Sequence, residues 1–149
     1  MKQHNSTVGT RREREKGHAV LEAAFLMPWV IFLFVGAFDM GFYAYALICT
    51  ENATRVATMY TSSSSSTWTD SSTACSLALG ELGSLHNLSG VTTCTALPLI
   101  VTVGSATGPD GASASQVSVT YQSDQMIPIP GLLTGRLTVT RTAQMRLRS

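Results

Sequence analysis

Charge is what this sequence has least of. Only 13 % of its 149 residues are Asp, Glu, Lys or Arg, about half the usual quarter. With 44 % apolar residues beside them, that scarcity excludes a charge-rich disordered chain and disfavours a soluble cytosolic enzyme. The net charge of +1 argues against a nucleic-acid partner. Signatures of chemistry are missing too. There is no GxSxG elbow, no Walker A loop and no Gly-rich dinucleotide fingerprint. His4 lies in the basic head and His18 at the membrane edge, and His86 has no nearby acid or nucleophile motif. No CxxC is present, and His86 alone makes an incomplete metal site. No catalytic residue, metal or cofactor is therefore assigned. Arg11-Arg12 lacks the context of a twin-arginine signal, and the triplets beginning at Asn52 and Asn87 match the glycosylation pattern at chance level.

The charge that is present is unevenly placed. Residues 1–17 hold five bases (Lys2, Arg11, Arg12, Arg14, Lys16) and two acids (Glu13, Glu15), a local +3, whereas everything after Gly17 sums to −2. Behind this basic head runs AVLEAAFLMPWVIFLFVGAF, residues 19–38, in which Glu22 is the only ionisable group. Twenty helical residues rise roughly 30 Å, the thickness of a bilayer's hydrocarbon core. A soluble domain of this size could hardly cover a helix apolar on all sides. Asp39 follows Glu22 by 17 residues, about 26 Å along a helix, so each acid falls near one edge of the apolar slab. The basic flank predicts a cytoplasmic N-terminus and an extracytoplasmic C-terminal body.

The helix is expected to continue to residue 60. Phe42, Tyr45, Ala46, Cys49, Ala53, Val56, Ala57 and Tyr60 recur at spacings of three and four, with Glu51, Asn52 and Arg55 elsewhere on the wheel. Glu51 and Arg55 stand at the supportive i, i+4 distance. Pro28 removes the helical donor for the Ala24 carbonyl and predicts a local bend. Residues 61–73, with the run Ser62–Ser66, read as a flexible connector.

Residues 74–149 form the remaining body. A short helix is expected over 73–85, carrying Leu77, Ala78, Leu82 and Leu85 on one side. Short strands are expected over 91–94 and 99–103, a loop over 104–111, and a strand over 116–121 with Val117, Val119 and Tyr121 on one face. IPIPG at 127–131 cannot be a central strand because of Pro128 and Pro130. A last strand over 137–144 ends in a basic tail of Arg141, Arg146 and Arg148. The fold class is α+β: a long transmembrane helix, then a small antiparallel β-containing extracytoplasmic domain. Cys49 reads as a buried free thiol, whereas Cys75 and Cys94 can close a disulfide if the body faces an oxidising compartment, stabilising it by about 3 kcal/mol.

Where basic head meets apolar run stands Gly17-His-Ala-Val-Leu-Glu22. A glycine ending a charged leader, with a lone glutamate five residues on, resembles the processing site of type IV prepilins. Residues 17–61 more closely resemble the TadE-like family of Tad (Flp) pilus assembly, through Gly17, Glu22, Pro28, Asn52, Ala53 and Arg55. The resemblance implies cleavage after Gly17 by a prepilin peptidase on the cytoplasmic face, which makes His18 the first residue of a 132-residue mature chain. It assigns Glu22 to pairing with a neighbouring subunit's new amine during assembly. The implied partners are lipid bilayer, prepilin peptidase, other pilin or pseudopilin subunits and Tad assembly proteins, at a bacterial inner membrane. Ala23 stands where the short major pilins of this system resemble one another in having tyrosine, and a sizeable body follows, so a minor pilin or pseudopilin is implied. Two other readings of the residues stay open: an uncleaved single-pass anchor presenting an interaction domain, and a secreted protein cut after Ala44-Tyr45-Ala46.

Overall fold

A computed structural model describes residues 7–124 and 135–148, with side chains from residue 18 onward. The expectation for 127–131 lies outside the described residues. Two compact units divide the chain at Phe38/Asp39.

The first unit is helical. Helix α1, Thr7–Thr61, begins eleven residues before His18 and ends one residue beyond the expected limit. It continues unbroken through Pro28. Its apolar side chains are bare: Phe25 is 75 % exposed, Trp29 69 % and Phe34 69 %. Phe34 and Phe38 stack with ring centroids 6.2 Å apart. The helix is long and apolar enough to cross a membrane, and its most apolar window is wholly unburied.

In the second unit the last turns of α1 lie against α2 (Ser71–Leu82) and a four-stranded antiparallel sheet in the order β1 (Thr95–Ala96), β2 (Leu99–Thr107), β3 (Ser113–Gln122), β4 (Thr138–Arg146). The architecture is α+β, as the pattern of elements implies. From Ser115 onward β3 alternates, with Ser115, Val117, Val119 and Tyr121 buried, and Ala114 before them is buried too. Its other face is polar and matched to β4. Gln144 donates to Gln116 at 2.7 Å, Thr142 to Ser118 at 3.1 Å, and Thr120 and Thr140 share a hydrogen bond of 2.9 Å. These cross-strand pairs fix the register Gln116↔Gln144, Ser118↔Thr142 and Thr120↔Thr140. Leu82 and Leu99, both fully buried, join Val101, Leu85, Leu88 and Cys94 in one core with Ala46, Cys49, Ala53 and Ala57 of α1. Truncating either leucine to alanine removes roughly 2–5 kcal/mol.

Several boundaries move. Residues 91–94 are not a strand; the first strand is the two residues Thr95–Ala96, paired back onto Leu99 and Ile100 across a two-residue turn at Leu97 and Pro98. β2 continues through Gly104 to Thr107, because residues 104–107 pair with 113–116 of β3, and the loop shrinks to 108–112. β4 runs two residues past Gln144, so Arg146 belongs to the strand, as Arg141 does. Helix α2 starts at Ser71 because Asp70 caps it, accepting from the Thr73 N–H at 3.0 Å, and it stops at Leu82 before Gly83. Leu85 is buried, though outside the helix, and Leu77 is only half-buried.

The serine-rich stretch is not a loose tether. Ser62 N–H donates to the Thr58 carbonyl at 2.9 Å and Ser63 N–H to the Tyr60 carbonyl at 3.1 Å. Thr67 Oγ1 donates to the Ser64 carbonyl at 3.0 Å and accepts from the Ser64 N–H at 3.2 Å. Short hydroxyl side chains bond nearby backbone groups, so this composition makes turns as readily as it makes coil. Arg148 N–H closes the segment onto the Ser62 carbonyl at 3.0 Å.

Candidate functional site

The residues singled out at the start of the apolar run all lie on α1. Gly17 is helical, not extended. His18 and Glu22 are both exposed, one helical turn apart, so they share a face with their backbones about 6 Å apart along the axis. Pro28 is exposed within the same helix. A carboxylate carried on an otherwise apolar, uncovered helix is costly in lipid unless it meets a cation.

Further along, α1 presents small residues to the core. Ala46, Cys49, Ala53 and Ala57 are buried, and so are Thr50, Thr54, Thr58 and Thr61. Each of the first three threonines donates its hydroxyl to the carbonyl four residues back, at 2.7, 2.7 and 2.6 Å. That leaves only the methyl for packing, so the face is apolar in effect. The aromatic residues expected on this face lie off it: Phe42 is 61 % exposed and Tyr45 46 % exposed. Glu51 bonds Arg55 at 3.1 Å and also reaches Arg141 of β4 at 3.6 Å. Cys49 is buried and free, while Cys75 and Cys94 are bonded, with their Cα atoms 5.7 Å apart.

Asp39, expected near one edge of the apolar slab, is 7 % exposed, and its buried Oδ2 has no hydrogen-bond partner among the described residues. The residue lines a groove of about 380 Å³ that also takes in Tyr43, Tyr45, His86, Asn87, Tyr121 and Asp124. The walls are held by their own bonds. Tyr45 donates to Ser84 Oγ at 2.9 Å, Tyr121 donates to Asn87 Oδ1 at 2.6 Å, and Asn87 Nδ2 donates to the Gln122 carbonyl at 2.6 Å. Burial raises the Tyr121 phenol above its ordinary value, and the charge of Asp124 raises it further. His86, without an acidic neighbour in sequence, lies with its Nδ1 3.8 Å from Asp124 Oδ2 at the exposed rim. The signal that could have found this groove is Asp39 itself, an acid within one turn of Tyr43 on a helix; the other lining residues come from 84–87 after α2 and from 121–124 at the end of β3, which only the fold brings near.

Among the described residues, no three His, Cys, Asp or Glu side chains cluster as a metal site. Comparison with protein-family models, with curated proteins and with solved structures finds no match to this chain.

Proposed function

We propose that this chain is a structural subunit of the TadE-like kind: a pseudopilin or minor pilin of Tad (Flp) pilus assembly or a related secretion apparatus, anchored once in the bacterial inner membrane. The observation that carries the reading is the placement of Glu22, the sole ionisable residue in twenty apolar ones, five residues after Gly17 at the end of a basic leader. The uncovered apolar surface of α1 up to Phe38, and the compact α+β unit that follows, support it. In this reading a prepilin peptidase cuts after Gly17, and Glu22 pairs with the amine of a neighbouring subunit. The body beyond Asp39 faces the extracytoplasmic side, where thiols oxidise, which suits the Cys75–Cys94 bond. No enzymatic activity is assigned.

A second reading is favoured by one observation. Gly17 lies inside α1 and must leave the helix before an extended peptide can enter a protease cleft. Without that unwinding, the chain is an uncleaved single-pass anchor presenting its α+β unit. The N-terminal sequence and intact mass of protein extracted from host membranes separate the two: a start at His18 supports processing, and retention of residues 1–17 beside an active peptidase overturns it.

A further inference from the structure

A strand at the edge of a sheet leaves half of its backbone groups without a ladder partner. β4 is such a strand, the last in the order β1-β2-β3-β4. The register shows which half is free. Leu147 N–H donates to the Ser113 carbonyl at 3.1 Å and Ser123 N–H to the Leu137 carbonyl at 2.8 Å, so the odd-numbered residues of β4 bond to β3. Thr138, Thr140, Thr142, Gln144 and Arg146 turn their N–H and C=O groups the other way, and all of them are exposed residues. Arg148, of the same parity, confirms the direction, since its N–H reaches outward to the Ser62 carbonyl at 3.0 Å. Among the described residues, no hydrogen bond closes the edge from Thr138 to Arg146. The strand has no proline, no lysine and no break in register, the devices that commonly guard an edge.

Charge selects the partner. All the bases after Asp39 lie on this strand or against it: Arg136, Arg141, Arg146 and Arg148 in β4 and its flanks, and Arg55 through the Glu51 it shares with Arg141. Glu51 and Asp110 are the acids paired with them, Asp110 meeting Arg146 at 3.4 Å. Five bases against two acids leave a surplus of +3 along the edge. A second copy of β4 would set one arginine-lined edge against another, and like charges across a strand pair are destabilising. We propose that the free edge of β4 binds an extended acidic segment of a different protein as an added strand. The backbone of that segment continues the ladder, and its carboxylates reach Arg141 on one face of the sheet and Arg146 on the other. The surface lies wholly within the second unit, so the inference stands whether or not the leader is cut.

The probe is a fluorescent peptide as long as β4, nine residues, alternating valine and threonine, with a glutamate placed opposite Arg141 and another opposite Arg146. Fluorescence polarisation with the full chain in mild detergent should show saturable binding, about tenfold tighter than for the same peptide with lysines in place of the glutamates. N-methylation of alternate peptide amides separates a ladder from a loose charge contact and leaves the protein unaltered. Methylating the set that faces β4 should weaken binding about tenfold or more, and methylating the other set should change it little. Thr142→Pro removes only an outward N–H, spares the β3 ladder and should abolish binding by a protein that still folds. Equal binding of the two methylated peptides overturns the strand pairing, and equal binding of glutamate and lysine peptides overturns the acidic partner. A folded Thr142→Pro protein that binds like the parent overturns the proposal too, as does no binding at the highest soluble peptide concentration. A dimer that Thr142→Pro abolishes, with no peptide bound, also overturns it by making a second copy the occupant.

Discussion

Ser115 of β3 donates its hydroxyl to Thr61 Oγ1 at 2.7 Å, across 54 positions of sequence and with both residues fully buried. Thr61 in turn donates to the Thr58 carbonyl at 3.2 Å, so the end of α1 is tied to an inner strand by a short relay. The two ends of this bond are not equivalent. Thr61→Val strands the Ser115 hydroxyl in the core and is expected to cost about 1–3 kcal/mol, whereas Ser115→Ala leaves Thr61 its own acceptor and costs about 0.5–1.5 kcal/mol. Chemical denaturation of the full chain in mild detergent reads the difference. Equal losses would mean that Ser115 finds another acceptor.

That relay also shows what could be read from the residue order. The apolar run and the alternation of Val117, Val119 and Tyr121 are local signals, and the long helix and β3 follow from them. The packing face of α1 was only half legible. Ala46, Cys49, Ala53 and Ala57 are buried as their spacing suggests, but the threonines beside them count as polar until the i−4 carbonyl absorbs each hydroxyl. Gly104 likewise reads as a turn residue, and only pairing with Gln116 keeps it in β2. Of the candidate sites, Glu22 needs nothing beyond its neighbours in sequence to be noticed. The Asp39 groove needs the fold, since Asn87, Tyr121 and Asp124 arrive from distant parts of the sequence.

The Cys75–Cys94 bond closes a loop of nineteen residues and pins α2 to the segment leading into β1. Loop-closure entropy gives such a bridge about 3 kcal/mol. A Cys75→Ser/Cys94→Ser double variant should lose stability on that order. Alkylation of the unfolded, unreduced protein should label one thiol, that of Cys49, and reduction should raise the count to three. Three labels before reduction would show the bond is not made in the cell.

Asp70 gives the body an acid-sensitive joint. Its carboxylate receives the side-chain and backbone donors of Thr73, then the hydroxyls of Ser72 and Tyr60, and these hold its pKa well below the ordinary 3.8. A carboxyl whose folded pKa is depressed stabilises the fold above its unfolded pKa and loses that contribution as pH falls toward the folded value. Melting temperatures of the parent and of Asp70→Asn should therefore differ at neutral pH by a constant amount. The gap should narrow once pH drops below about 4, because the parent then loses what the variant already lacks. A gap that stays constant down to pH 2 would remove the charge from the account and leave only the cap geometry.

Glu22 is where the proposed function can fail most cleanly. The peptidase would act on the bond after Gly17, five residues away, so Glu22→Ala should be trimmed as efficiently as the parent. Gly17→Leu, which places a branched side chain at the cut, should keep its leader. Assembly should show the reverse order of sensitivity. Removing one carboxylate that has a cationic partner in a low-dielectric setting costs about 3–5 kcal/mol per subunit contact, enough to shift incorporation by two orders of magnitude or more. Crosslinking of processed protein in host membranes measures this directly. Glu22→Asp, which keeps the charge one methylene short, should recover part of the loss. Trimmed Glu22→Ala protein that crosslinks like the parent would reduce the acid to a group lying at the membrane edge. The case for a stacked subunit would then rest on Gly17 alone.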